Sequence, residues 1–152
     1  MKASGKAVLL SLIVIVCTMM MVSQASAQVS CHKINAKGVG QDLGEGITHA
    51  DIIGGGLLQG TTEGNFTITG FSGTVASFAG TVEFTTKKAT LTVTVAGIFD
   101  VATGKFSASG PVTGATGKLA GATGNLLLQG VQLPDSSFAE DVTGQICVDL
   151  AP

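Results

Sequence analysis

Apolar and polar residues alternate along most of the chain after residue 42, and glycine-marked breaks separate the alternating runs. In the clearest run, ATLTVTVAGIF at residues 89–99, large apolar side chains share one face and threonines share the other. A period of two is typical of a β-strand with one buried face. No segment holds a helical period long enough to predict a helix, so the pattern predicts an all-β protein.

Eight segments carry this strand pattern: residues 47–53, 57–62, 65–71, 78–86, 89–99, 105–112, 124–131 and 138–150. Turn signals at this spacing are typical of a barrel or sandwich, and we predict a single domain of this kind over residues 28–152. The chain before residue 47 is then an N-terminal arm. Within it GVGQDLGEG, residues 38–46, is expected to be a polar loop, because a single calcium-type turn supplies too few oxygen ligands.

The same alternation directs five of the seven phenylalanines inward, namely Phe66, Phe84, Phe99, Phe106 and Phe138. Side chains of that bulk fill the interior of a small eight-stranded barrel. We therefore expect little room for a large ligand.

The tetrapeptide Gly-Ala-Thr-Gly occurs twice, at residues 114–117 and 121–124. Glycine supplies the positive φ of tight reversals, so the repeat is interpreted as a connection between strands. A phosphate-binding loop is the functional alternative. Its Gly-x-x-x-x-Gly-Lys-Ser/Thr pattern and the helix that should follow are both missing.

The first 27 residues have the order of a secretory signal peptide: Lys2 and Lys6, an uncharged run over residues 7–22, and a final Ala-Ser-Ala. The run is shorter than the roughly 20 residues that cross a bilayer, which favours cleavage after Ala27 over a retained membrane anchor. The pattern predicts a secreted or periplasmic protein.

Residues 28–152 contain six lysines, no arginine and ten acidic residues, a formal charge of −4. Nucleic-acid binding needs clustered basic residues and is excluded. An outer-membrane barrel needs an apolar outer face and aromatic girdles, whereas the apparent outer face is polar and Trp and Tyr are absent, so we do not expect an integral membrane protein. A monomer is favoured, and self-association through the Thr-rich outer face stays open, because exposed strand edges would favour pairing.

Cys31 and Cys147 are the two cysteines outside the predicted signal peptide. In an oxidising compartment they are expected to form a disulfide on the outside of the barrel, joining the N-terminal arm to the last strand. The alternative is a redox-active pair, which usually has the close spacing Cys-x-x-Cys.

Candidate catalytic groups are few, and neither zinc-type spacing nor a cofactor motif occurs, so we expect no metal and no cofactor. Glu140 shares the inward face with Phe138, and burial there should raise its pKa and suit it to general-acid work, unless a strand bulge turns it to water. His49 and Asp51 lie two residues apart on one strand face, where the carboxylate could orient the imidazole. A solvated sheet edge is the more ordinary interpretation of that pair.

The stretches GTTEGNFTITG, AGTVEFTT, FSASGPVTGATGKLAGATGNLLLQG and EDVTGQICVDL cover most of residues 60–150. This combination resembles bacterial secreted proteins of the allene oxide cyclase barrel-like fold and, more distantly, dirigent proteins. The resemblance implies an eight-stranded antiparallel barrel of lipocalin-like build. None of the plant cyclases' active-site residues aligns with a position here, so no activity is carried over.

Two functions fit these features. One is a disulfide-linked barrel that acts as a binding or structural module, with a small apolar molecule as the possible ligand. The other is a cyclase or isomerase that takes a small apolar substrate at the barrel mouth. A continuous apolar cavity of about 300 Å³ or more with convergent polar groups would favour the enzyme.

Overall fold

The computed structural model describes residues 29–149, which form a closed barrel of eight antiparallel strands. The strands are β1 (Ser30–Gly44), β2 (Ile47–Gly54), β3 (Gly60–Ser72), β4 (Val75–Thr86), β5 (Thr90–Asp100), β6 (Lys105–Ala115), β7 (Thr123–Gln132) and β8 (Ser137–Val148). Each strand pairs with the next, and β8 pairs with β1 to close the barrel. The predicted all-β, eight-stranded architecture is confirmed, and the predicted signal peptide lies outside the described residues.

The predicted number of strands is right only because two errors cancel: β1 was not predicted, and β3 was predicted as two strands. The predicted N-terminal arm and polar loop are mostly β1, and only residues 45 and 46 form the turn to β2. Its inward positions include Ala36, Gly38 and Gly40, which are too small to produce an apolar alternation in the sequence. The predicted segments 57–62 and 65–71 overlap a single strand, β3, because Gly64 interrupts the apolar run without interrupting the ladder.

One end of the barrel is packed and closed. Two short 3₁₀ helices, Gly56–Leu58 and Gly117–Leu119, cover this end and bury Leu58 and Leu119 against the core. The other end carries the tight hairpin turns β1–β2, β3–β4, β5–β6 and β7–β8. Apolar burial is therefore concentrated in one half of the barrel, and the opposite end is open.

The repeated Gly-Ala-Thr-Gly forms the connection between β6 and β7, as predicted. Its first copy leads from β6 into the 3₁₀ helix and its second leads into β7. Gly117 has φ +59°, and a Cβ there would collide with the carbonyl oxygen of Lys88. Glycine is therefore needed at this position both for the turn and for the close approach of the β4–β5 loop.

The predicted disulfide is present. Cys31 on β1 and Cys147 on β8 are directly opposed residues of the two strands that close the barrel, and their side chains lie on its outer face. The same seam carries an ion pair between Lys37 and Asp141, also outside. Closure by β1 and β8 leaves no unpaired strand edge among the eight described strands.

The prediction of a polar outer surface is wrong around the open end. Leu43, Phe71, Val101 and Leu133 lie at or beside the four hairpin turns and are all more than half exposed. Within residues 29–149 no helix has both the length and the apolar character needed to span a membrane.

Candidate functional site

The open half of the barrel contains a cavity of about 590 Å³ that reaches from the mouth into the interior. Phenyl rings form much of its wall, contributed by Phe66, Phe78, Phe99, Phe106 and Phe138. Only Phe84 belongs to the packed half, and Phe71 is exposed at the rim. The inward direction of the five predicted phenylalanines is confirmed, but the expectation that they fill the barrel is wrong.

The space exists because aromatic rings lie along the wall, over glycines of neighbouring strands. A Cβ on Gly40 would lie 2.5 Å from Cζ of Phe138, and a Cβ on Gly130 would lie 2.5 Å from Cζ of Phe106. These two rings also meet edge to face, with centroids 5.9 Å apart. Glycine at inward strand positions therefore gives the rings a place against the wall and leaves the centre open.

Glu140 lies in this wall, on β8. It stands opposite Gly38 of β1 and Gly130 of β7, with no irregularity in either ladder at this point, so the predicted inward position is confirmed and no bulge turns it to water. The residue is 8% exposed. A Cβ on Gly38 would lie 2.7 Å from both Cγ and Oε1 of Glu140, so the missing side chain makes room for the carboxyl group.

Burial raises the pKa of Glu140 from 4.5 to about 7, and among the described residues no hydrogen bond or ion pair offsets this desolvation. Close to neutral pH the group is therefore present both as an acid that can donate a hydrogen bond and as a carboxylate.

Polar side chains converge on the cavity from other strands as well. Thr48 of β2 and Thr62 of β3 contribute hydroxyl groups, and Thr62 is buried. At the mouth Gln132 donates a hydrogen bond from Nε2 to Oδ2 of Asp42, at 3.0 Å, which joins β7 to β1. The sequence pattern missed these four residues, although the alternation of Thr62 with Gly64 and Phe66 could have identified the first inward polar group on β3.

The other predicted candidates lie elsewhere. His49 and Asp51 are exposed on the outer face of β2, and His49 stands opposite Gln41 and Glu63. The structure therefore does not bring this pair to Glu140. The second histidine of the barrel, His32, is not among the predicted candidates; it is at the closed end, where its Nε2 is buried without a partner among the described residues. Within the same residues no three His, Cys, Asp or Glu side chains are grouped so as to hold a metal ion.

Compared with known proteins, the chain matches no family model, and no curated protein is significantly similar to it in sequence. The functional assignment therefore rests on the barrel and its cavity. The resemblance to allene oxide cyclase barrel-like proteins stays a prediction from the sequence.

Proposed function

We propose that the protein binds a small, largely apolar ligand inside the open half of the barrel. The observation that carries this proposal is the cavity of about 590 Å³, lined by five phenyl rings and reached from the mouth. Ligand sites of small molecules are typically concave, mostly apolar and roughly 300–1,000 Å³ in volume, with a few polar groups that fix the orientation. Glu140 is the polar group in the wall that fits this role.

A fluorescent apolar probe, N-phenyl-1-naphthylamine, tests the proposal directly. Its emission should rise saturably with the wild-type protein as it leaves water. Ala108→Phe places a ring in the cavity from β6, and we expect it to abolish the rise. The matched control is Ala96→Phe, the same change at an exposed position of the adjacent strand β5, which should bind like the wild type.

Thr48→Phe, at a half-buried cavity position on β2, provides a second filled variant in case Ala108→Phe does not fold. Circular dichroism confirms which variants keep the barrel. Absence of saturable binding to the wild type contradicts the proposal. Equal binding by folded cavity-filled variants contradicts it as well.

A second candidate function is acid-catalysed isomerisation or cyclisation of an apolar substrate. The observation that favours it is an unpaired carboxyl group in an apolar cavity with a pKa near 7, the range in which general acids work best at neutral pH. Incubation with an apolar extract of the host, followed by mass spectrometry coupled to chromatography, should show new isomers with the wild type and none with Glu140→Gln. Isomers formed equally by Glu140→Gln would remove the general-acid role.

The protein is proposed to act outside the cytoplasm, as a secreted or periplasmic protein. The Cys31–Cys147 disulfide supports this location, because such bonds persist in oxidising compartments. Fractionation of the host and N-terminal sequencing should find the protein outside the cytoplasm with Gln28 as its first residue. A cytoplasmic protein that keeps residues 1–27 would contradict the proposal.

A further inference from the structure

All the ionisable side chains that line the cavity carry the same sign of charge. They are Asp42 and Glu45 at the mouth and Glu140 in the wall, and no described lysine or histidine contributes to the lining. The chain has no arginine at all. Lys37, which precedes the glycine opposite Glu140, points outward and pairs with Asp141. A ligand that enters this cavity therefore meets carboxyl groups and no fixed positive charge.

Glu140 lacks the partner that a buried carboxylate requires. The residue is 8% exposed, lines the cavity, and has no hydrogen-bonding or charged neighbour among residues 29–149. A carboxylate in such a site is unfavourable unless an opposite charge and a hydrogen-bond donor reach it. A ligand ammonium group supplies both at once.

The phenyl rings of the cavity wall are a second source of attraction for a positively charged ligand. The faces of phenyl rings carry negative electrostatic potential and attract cations within about 6 Å of the ring centre. Five rings surround this cavity, in two edge-to-face pairs, Phe66 with Phe78 and Phe106 with Phe138, and a fifth at Phe99. A ligand cation that reaches the face of one of these rings therefore gains a second attraction, whereas an anionic group is repelled by the carboxylates.

We infer that the cavity selects a hydrophobic amine, an apolar or aromatic body that carries one ammonium group, over the neutral or anionic molecule of the same shape. The ammonium group pairs with Glu140, and the body lies against the phenyl rings. This inference rests on the proposed binding function and narrows its ligand class.

Three compounds of similar shape test the charge preference: the amine 2-(1-naphthyl)ethylamine, the alcohol 2-(1-naphthyl)ethanol and the carboxylate 2-(1-naphthyl)acetate. Each is titrated against the protein with N-phenyl-1-naphthylamine bound, and displacement gives its affinity. We expect the amine to bind about tenfold more tightly than the alcohol, the difference between a charge-assisted and a neutral hydrogen bond, and the carboxylate to bind most weakly. Equal affinities would overturn the charge selection but leave the binding function intact, whereas failure of the probe and all three compounds to bind would overturn both.

Two variants assign the preference to Glu140. Glu140→Gln keeps the shape and removes the charge, so the amine should fall to the affinity of the alcohol while the alcohol changes little. Glu83→Gln, the same change at an exposed position on the outer face of β4 away from the cavity, should keep the amine preference. An amine preference that survives Glu140→Gln would overturn the assignment.

The pH dependence of amine affinity separates a charge interaction with Glu140 from a purely structural effect of this residue. The titratable groups around Glu140 are Asp42 and Glu45 in the cavity and Lys37 and Asp141 on the outer faces of β1 and β8. Between pH 5.5 and 8.5 amine affinity should rise as Glu140 ionises, and alcohol affinity should not rise. The rise should be absent in Glu140→Gln and present in Glu83→Gln, and a rise that persists in Glu140→Gln contradicts the inference.

Discussion

The buried carboxyl group of Glu140 should make the stability of the barrel depend on pH, and Glu140→Gln should remove this dependence. Burial raises its pKa from 4.5 to about 7. At about 1.4 kcal/mol for each pH unit, that difference corresponds to about 3 kcal/mol of unfolding free energy. Folding takes up a proton between these two values, so this stabilisation is fully present below pH 4.5 and is lost as the pH rises through about 7.

Urea unfolding of the purified protein measures the effect. At pH 4 the protonated acid and the amide are nearly equivalent, so wild type and Glu140→Gln should have similar unfolding free energies. At pH 8 the variant should be more stable by about 3 kcal/mol, with an unchanged urea dependence. Glu45→Gln, the same substitution at an exposed turn, should follow the wild type at both pH values. A difference between wild type and Glu140→Gln that is the same at pH 4 and pH 8 would show that burial does not raise the pKa of Glu140.

Three further predictions concern the disulfide and the two halves of the barrel. The double variant Cys31→Ser/Cys147→Ser should lose up to about 4–5 kcal/mol in urea unfolding, because the bond closes a loop of 116 residues; an unchanged midpoint would contradict a stabilising role. Gly130→Ala should lower the melting temperature, since its Cβ would meet the Ala139 carbonyl oxygen and the Phe106 ring, and an unchanged melting temperature would show that the ring is not held there. Leu119→Ala at the closed end should cost about 2–5 kcal/mol of unfolding free energy yet leave probe affinity unchanged, whereas weakened probe binding by folded protein would contradict the separation of packed and open halves.

The fold was predictable where large apolar side chains mark every second position. In β5 the leucine and valines of the inward face are buried as expected, and the same rule placed Glu140 on the inward face of β8. It failed for β1, whose inward face is built partly from alanine and glycine and so gives no apolar alternation. Periodicity reports which face a residue occupies only when that face carries bulky side chains.

The cavity could not be predicted in the same way, because the number of inward phenylalanines does not determine the volume they leave. The decisive residues are Gly40 and Gly130, over which Phe138 and Phe106 lie. Whether a ring crosses the centre or lies along the wall depends on the residues of the adjacent strands, and that register is set by the closed barrel. For His49 and Asp51 the prediction that they share a strand face is correct, but this face is the outer one of β2 and not the cavity wall.

A crystal structure of the protein soaked with 1-bromonaphthalene would show whether apolar molecules bind inside the barrel, because anomalous scattering locates bromine without assumptions about the ligand. We expect a bromine peak inside the barrel, between the rings of Phe66, Phe106 and Phe138 and next to Glu140. The ladder of β8 with β1 should be unchanged. Bromine found only on the outer surface, with the phenyl rings turned inward to fill the interior, would contradict this expectation.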